Sequence, residues 1–216
     1  MPNWKDLGEL DIGKILPPGY TQAVLSRNDI PRLCAAIERW HPDIEVGIGS
    51  KFLQPRFYEQ QVGLKGEPER DTIAYCGTYA GEIVSILVLT RNTQSLTLFG
   101  DFGAVAPEHR RAGVAAFGGF MLDAQAKAMG FVMSHTLATM KTPAMQRMLE
   151  RAGFLPIGIV PASDREKAAD GAVFSVSEVL YAKVHREHAS ILPVAQENMT
   201  DAVARLWKAM LPAPIN

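Results

Sequence analysis

The pattern of hydrophobic residues predicts a run of strands in the middle of the chain. Residues 72–79, 82–91 and 95–106 are rich in β-branched and aromatic side chains, and only the short breaks "AG" and "NTQ" separate them. Strands joined by such tight connections pair with their neighbours in an antiparallel meander. Four further segments have the composition of strands: 21–26, 131–138, 154–160 and 174–184. A sheet of six to seven strands is therefore expected.

Other segments have hydrophobic residues every three to four positions, the spacing of a helix with one buried face. Residues 28–41 carry this spacing, with Asn28 as the expected N-cap. Residues 114–129 carry it too, and Gly130 fits the helix stop. Further helices are predicted from an N-cap at Thr142 to Gly153, over residues 200–211, and within the ambiguous segment 51–64.

The order of these elements predicts the fold class, an α/β (α+β) protein with a mixed, mainly antiparallel sheet. Strands alternate with helices only in the second half of the sequence, which argues against a doubly wound parallel sheet. A polar, helix-permissive link is expected between the last two strands. We expect an irregular arm over residues 1–19, one domain over 20–188, and a linker with an amphipathic helix over 189–216.

Composition and charge exclude several classes of protein. The 216 residues are enough for a single core, and the formal net charge of -1 lacks the basic excess of nucleic-acid-binding proteins. No apolar run is long enough to span a bilayer, and the N-terminus lacks the pattern of a signal peptide. We therefore expect a cytoplasmic protein that binds neither nucleic acid nor membranes. Cys34 and Cys76 have no metal-binding spacing, so two buried free thiols and no metal site are expected.

The stretch "VAPEHRRAGVA", residues 105–115, runs from the end of a predicted strand into the first turn of a helix. The first N–H groups of a helix lack internal acceptors and carry partial positive charge, so such a place binds anions such as phosphate. Gly113 would let the backbone approach an oxygen closely, and Arg110 and Arg111 could add charged hydrogen bonds. The glycines of the dinucleotide motif and the Gly-Lys-Ser/Thr of the Walker loop are both missing. By itself the stretch fits a diphosphate cradle and a solvated basic helix start equally well.

In its context this stretch resembles the acyl-CoA-binding motif of the GNAT superfamily of N-acyltransferases, Q/R-x-x-G-x-G/A, through Arg110, Gly113 and Ala115. The stretch "TPAMQRMLERAGFLPIGI", residues 142–159, looks like the helix-then-strand element of that family with its Gly-Phe pair. Spacing and element order agree over residues 20–184. The resemblance implies a GNAT fold with helices on both faces of the sheet. It also implies an acyl-CoA as co-substrate, acetyl-CoA in the first instance, and no metal.

The resemblance further implies where the co-substrate binds. The CoA pyrophosphate would be held by the loop residues Arg110, Arg111, Ala112, Gly113, Val114 and Ala115. The backbone at Ala104 and Val105 would pair with the pantetheine arm, and Thr142 stands where the family often has an Asn. The acyl thioester would then lie between the strands 95–106 and 131–138.

Two side chains are candidate catalytic residues. Asp101 stands near the place of the family's frequent acidic base, but one residue out of register. This shift would turn it to the other face of the sheet unless a bulge at Gly100 or Gly103 restores it. His135, on the strand 131–138, has a side chain whose ordinary pKa suits proton transfer. The alternatives are a solvent-facing Asp101 and a His135 packed in the core.

Other polar residues fit the family pattern less well. Leu149 occupies the place of the Tyr that most often protonates the leaving thiolate, and it cannot donate a proton. Tyr181 could supply a proton or simply pack. His185 and His188 are expected to be a solvated surface pair.

The acceptor side is less defined by the sequence. In the family, acceptor groups come from the loop after the first helix and from the last two strands. In that loop Asp43 and Glu45 could hold a cationic amine or face solvent. Four nearby aromatic residues could line a pocket or pack in the core: Trp40, Phe52, Phe57 and Tyr58.

Two functions fit these observations. The leading hypothesis is an N-acyltransferase that moves an acetyl or longer acyl group directly to a small-molecule amine. The alternative is a GNAT-fold module that binds acyl-CoA without turnover, which the missing Tyr favours. The helix over 200–211 has an apolar face that could pack on its own domain or form a homodimer.

Overall fold

The computed structural model describes residues 3–10, 16–185, 187–188, 190, 192 and 194–210. The strands are β1 (Tyr20–Val24), β2 (Val62–Gly63), β3 (Thr72–Tyr79), β4 (Glu82–Asn92), β5 (Thr97–Val105), β6 (Met133–Thr139), β7 (Leu155–Lys167) and β8 (Val173–Val184). The α-helices are α1 (Ile30–Trp40), α2 (Pro55–Gln61), α3 (Val114–Ala128), α4 (Ala144–Arg151) and α5 (Asp201–Met210). Every predicted strand and helix is present, and the two-residue strand β2 is additional.

All the strands belong to one sheet, in the order β1-β3-β4-β5-β6-β8-β7, with β2 beside β3. The pairs β5/β6 and β2/β3 are parallel and the other pairs are antiparallel. The prediction of a mixed, mainly antiparallel sheet is therefore confirmed. The single parallel pair in the centre of the sheet, β5/β6, is the one that matters for the candidate site.

Helices cover both faces of the sheet, as expected. One hydrophobic cluster lies under α1 and α2 and includes Ile37 and Phe57. A second cluster lies under α3 and α4 and includes Phe117 and Leu149. We refer below to the α1 face and the α3 face of the sheet.

The two cysteines are buried free thiols, as predicted. Burial raises the pKa of Cys34 to about 11 and that of Cys76 to about 12. Both thiols are therefore protonated near neutral pH, and neither has the depressed pKa of a reactive cysteine.

The polar link predicted between the last two strands is wrong, because β7 continues through it to Lys167. The long hairpin of β7 and β8 contacts the loop after α1. The Asp164 carboxylate accepts hydrogen bonds from the backbone N–H groups of Ile48 (2.7 Å) and Gly49 (3.3 Å). Pairing with β8 and contacts with a remote loop, rather than hydrophobic alternation, therefore keep this polar segment extended.

Two predicted helix starts are displaced. A 3₁₀ turn over Arg27–Asp29 precedes α1, and the Ser26 hydroxyl donates to the Asp29 carboxylate, so Asn28 is not the N-cap. Helix α4 begins at Ala144, and the exposed Thr142 makes no capping hydrogen bond. The helix within 51–64 is α2, with Pro55 as its first residue, where the missing N–H costs nothing.

The two ends of the chain are only partly described. In the N-terminal arm the Trp4 indole donates to the carbonyl of Arg70 (2.8 Å), and Leu10 is buried under α3. Residues 11–15 of the predicted arm and 211–216 of the predicted tail lie outside the described residues. Helix α5 buries none of its residues, and Val203 and Leu206 are about half exposed. None of the helices in the described ranges is long and apolar enough to cross a membrane.

Candidate active site

The stretch "VAPEHRRAGVA" connects the end of β5 to the start of α3, as predicted. Arg111 and Gly113 have φ values of 85° and 90°, in the left-handed region. Within the part of the chain that the structure describes, no acceptor lies against the backbone N–H groups of Arg111, Gly113, Val114 or Ala115. Such a set of free N–H groups at the start of a 15-residue helix can bind an anion.

The two arginines of this loop lie in different surroundings. The Arg110 guanidinium donates to the carbonyl oxygens of Val105 (3.1 Å) and Trp40 (3.5 Å), and its Nη2 lies 3.4 Å from His41 Nε2. Arg110 therefore ties the loop to the C-terminal end of α1, where the helix dipole favours a cation. Arg111 is exposed on the surface of the loop.

The parallel strands β5 and β6 part beside this loop. Their pairing ends at Gly100 and Thr136, while β5 continues for five more residues to Val105. The Ala106 N–H donates to the Val84 carbonyl on β4 (2.9 Å). Because backbone groups alternate in direction along a strand, Val105 and Gly103 turn theirs away from β4, into the gap. The edge of β5 in this gap can pair with an extended chain, while the Ala104 side chain is buried under α1.

A β-bulge places Asp101 at the start of the gap. Val88 of β4 pairs with Phe102 and Leu89 pairs with Gly100, so Asp101 is the extra residue on β5. Its carboxylate accepts hydrogen bonds from Lys51 Nζ (3.2 Å) and from the Thr90 hydroxyl. The bulge thus directs Asp101 to the α1 face of the sheet, together with Phe102.

His135 lies on β6 and faces the same side of the sheet. Its ring is 4.9 Å from the ring of Phe99, its neighbour on β5. Its Nδ1 is buried, and no hydrogen-bond partner for it is found among the described residues. Burial lowers the pKa of His135 below its ordinary value of 6.5, so the ring is neutral at pH 7. A neutral imidazole can accept a proton.

A chain of polar contacts joins the loop after α1 to β7 and to the residues that follow β6. His41 Nδ1 lies 3.8 Å from Asp43 Oδ1, and Lys141 Nζ contacts both Asp43 and Glu166 at 2.5 Å. Burial opposes ionisation of Asp43, but the hydrogen bond and charge of Lys141, a backbone hydrogen bond and the charge of His41 together outweigh it, and the pKa of this carboxyl is lowered. Glu45 forms a further ion pair with Lys167. The acids expected in the acceptor loop are therefore paired with lysines from β7 and from the end of β6.

Several other residues differ from the sequence interpretation. His185 is buried, 3.0 Å from the Ser134 hydroxyl and 3.7 Å from Asp123, so the predicted surface pair with His188 is wrong. Its partners come from β6 and α3, which the sequence pattern does not bring together. The aromatic residues of the acceptor side pack in the core under α1 and α2: Trp40, Phe52, Phe57 and Tyr58.

The usual tyrosine position and Tyr181 both fail to place a proton donor in the gap. Leu149, which occupies the tyrosine position, is the buried residue of α4. Tyr181 belongs to the same cluster, on the α3 face, and its hydroxyl donates to Glu150 (2.8 Å). Burial, together with this hydrogen bond, raises the pKa of Tyr181 to about 12. In the described ranges no group of three or more His, Cys, Asp or Glu side chains is placed to hold a metal ion.

Comparisons with solved structures show the fold. A ribosomal-protein-alanine acetyltransferase from Vibrio fischeri is 11% identical, with a TM-score of 0.59 over 79% of this chain and 96% of that one. A GNAT-family acetyltransferase from Streptococcus pneumoniae is 12% identical, with a TM-score of 0.57 over 76% and 98% of the two chains. A variant of the spermidine N-acetyltransferase from Vibrio cholerae is 12% identical, with a TM-score of 0.59 over 80% and 97%.

Sequence comparison adds nothing to this likeness, because no protein-family model and no curated protein matches the chain. At such low identity the likeness rests on the arrangement of the strands and helices. The similar structures are acetyltransferases with different acceptors in their names, so the common element is the fold and not one substrate. The chain therefore has the fold of the GNAT-family acetyltransferases.

Proposed function

We propose that the protein is an acyl-CoA-dependent N-acyltransferase, with acetyl-CoA as the first expected donor. The acyl group would pass directly from the CoA thioester to a small-molecule amine. The observation that carries this proposal is the gap between β5 and β6, which ends at the free N–H groups of α3. An extended pantetheine arm and a diphosphate would both find backbone partners there.

Different residues of the loop would bind different parts of CoA. The N–H groups of Arg111, Gly113, Val114 and Ala115 would hold the pyrophosphate, with Ala112 exposed between them. The Arg111 side chain would add a charged hydrogen bond. Arg110 would act by fixing the carbonyl of Val105 and contributing positive charge. The backbone of Ala104 and Val105 would flank the pantetheine arm, with Thr142 on its other side.

The chemistry needs a neutral amine, a polarised carbonyl and a leaving thiolate. Asp101 or His135, on the same face of the sheet beside the gap, would accept the proton of the amine. The N–H of Gly103, which points into the gap, would polarise the thioester carbonyl. With Leu149 in the usual tyrosine position, the thiolate would take its proton from the reacting amine or from water.

The acceptor would enter from the α1 face, between the loop after α1 and the hairpin of β7 and β8. The acidic side chains of this region are paired with lysines, so a cationic amine would have to compete with those lysines for them: Asp43 and Glu166 with Lys141, Glu45 with Lys167, and Asp101 with Lys51. The name of one structural neighbour, a spermidine N-acetyltransferase, agrees with a small amine as acceptor.

A second candidate function is binding of acyl-CoA without turnover, as a sensor or interaction module. Leu149 favours it, because this buried apolar side chain leaves the site without the proton donor that many members of the family use. A phosphate-binding loop serves a sensor as well as an enzyme, so only turnover separates the two functions.

Calorimetric titration with acetyl-CoA, CoA and a medium-chain acyl-CoA, together with thiol release against a panel of amines, tests the proposal. Acyl-CoA binding with amine-dependent thiol release is the expected result. Binding without release against any amine would favour the sensor. Absence of binding would mean that the loop at 110–115 is a solvated helix start and would refute both functions.

A further inference from the structure

Lys51 holds a primary amine beside the candidate base. The 3₁₀ turn Ile48–Leu53 places Lys51 Nζ 3.2 Å from Asp101 Oδ1. The ammonium group also lies 4.8 Å from the ring centre of Phe52 and 5.4 Å from that of Phe57, within the range of cation–π contacts. The side chain is still 37% exposed, so the amine is held in place but remains accessible.

The Lys51 amine lies close to the gap between β5 and β6. Asp101 is the residue directly after the last β5/β6 pair, Gly100 with Thr136, so Lys51 reaches the point where the strands begin to part. The thioester of the proposed donor would lie in the same gap. Lys51 therefore occupies the place that the amine of an acceptor would take.

Other ion-paired lysines lie elsewhere. Lys141 is held between Asp43 and Glu166, while Lys127 and Lys183 both contact Asp123 of α3. Among the described residues, Lys51 is the lysine that contacts Asp101. Its environment is thus set by the candidate active site and not by a general excess of surface charge.

We propose that Lys51 is a modification site, acylated by the acyl-CoA bound to its own chain when no other amine is present. This inference rests on the proposed function. The Asp101 carboxylate takes a proton from the Lys51 ammonium group, and the neutral Nζ attacks the thioester carbonyl. The new C–N bond forms as the C–S bond breaks, and the thiolate leaves as free CoA thiol with the second proton from nitrogen. The products are an Nε-acyl-lysine and CoA.

Acylation changes the site that carries it. The amide has no charge, so the ion pair between Lys51 and Asp101 is lost, and the acyl group fills the entrance used by an acceptor. The modification is therefore limited to one group per chain and lowers the rate with added amines. Free acceptor competes with Lys51 and protects it.

The experiment uses the full chain incubated with acetyl-CoA in the absence of amine, followed by intact-mass measurement and peptide mapping. Lys51→Arg keeps the positive charge but removes the acyl acceptor. Lys65→Arg, at an exposed lysine of the β2–β3 connection, is the matched control. Asp101→Asn removes the proton acceptor and should slow labelling by about 10²-fold if it acts as general base.

The expected result is one acetyl group on Lys51 of the wild-type and Lys65→Arg proteins and none at residue 51 in Lys51→Arg. Labelling spread over exposed lysines and equal in Asp101→Asn would indicate uncatalysed acetylation and overturn the inference. Acetyl-CoA binding and thiol release with added amines, but no label on Lys51, would overturn the inference alone. A protein that fails to bind acetyl-CoA in the calorimeter would overturn the proposed function first.

Discussion

Substitution of Gly47 would test how the loop after α1 is held against β7. The φ of Gly47 is 75°, and a Cβ atom at this position would overlap the Asp164 carboxylate and lie 2.5 Å from the carbonyl oxygen of Arg165. Real Cβ atoms essentially never come closer than 3.0 Å to other heavy atoms. The same carboxylate accepts the N–H groups of Ile48 and Gly49. Gly47→Ala must therefore move the loop away from the hairpin.

The cost of this substitution has two parts. With φ 75° and ψ -161°, Gly47 lies in a backbone region essentially confined to glycine, where an alanine loses about 1–3 kcal/mol. Overpacking against the backbone of Arg165 adds about 1–3 kcal/mol. Gly66 is the control, because its φ of 78° also favours glycine but nothing lies within 4 Å of its added Cβ. We expect Gly47→Ala to lose about 2–6 kcal/mol of unfolding free energy and Gly66→Ala only about 1–2 kcal/mol.

Urea unfolding of the two variants and the wild type measures this difference directly. Because the loop carries Asp43 and Lys51, Gly47→Ala should also raise the KM for an amine substrate while leaving acyl-CoA affinity nearly unchanged. Equal loss of stability in the two variants, within about 0.5 kcal/mol, would refute the described contact between the loop and β7.

Four further predictions concern the loop, two histidines and the tail. Gly113→Ala should weaken acetyl-CoA binding by about 1–2 kcal/mol through strain at φ 90°, while Gly66→Ala binds like wild type in the calorimeter. If His135 accepts the proton, the rate should fall as the pH drops below 6.5, because burial lowers its pKa and only the neutral ring is a base. A His135→Gln protein with the same acidic limb would contradict this role. Burial also lowers the pKa of His185, so its ring takes up a proton more readily in the unfolded chain than in the folded one. The unfolding free energy should therefore fall as the pH drops below 6.5. If His185→Asn shows the same pH dependence of the unfolding free energy in urea as the wild type, His185 is not the cause. If α5 joins two chains, a protein ending at residue 188 should be monomeric in light scattering, and a persisting dimer would exclude α5 as the contact.

The central strands could be predicted because their signals are local. The limits of β3, at residues 72–79, agree with the prediction. The turn between β3 and β4 has positive φ values at Ala80 (51°) and Gly81 (83°), as a two-residue hairpin turn requires. A short break with glycine between two β-rich segments is enough to define such a hairpin.

Elements that depend on distant partners were mispredicted. The second half of β7 is polar, and its extended form depends on pairing with β8 and on the contacts of Asp164 and Lys167 with the loop after α1. His185 is buried because Ser134 and Asp123 approach it from other elements. No pattern within either segment carries this information, so the sequence favoured a surface link and a surface histidine.

The two halves of the candidate site also differ in how far their residues are separated along the chain. The proposed cofactor half is one contiguous stretch, in which a strand end, a glycine and a helix start follow one another, so its chemistry could be proposed from residues 105–115 alone. The proposed acceptor half joins Lys51, Asp101, Lys141 and Glu166 from four separate segments. Even the face on which Asp101 lies depends on a bulge in the register of β4 and β5. The donor side could therefore be proposed from one local stretch of sequence, whereas the acceptor side could be proposed only from the structure, which brings its separate segments together.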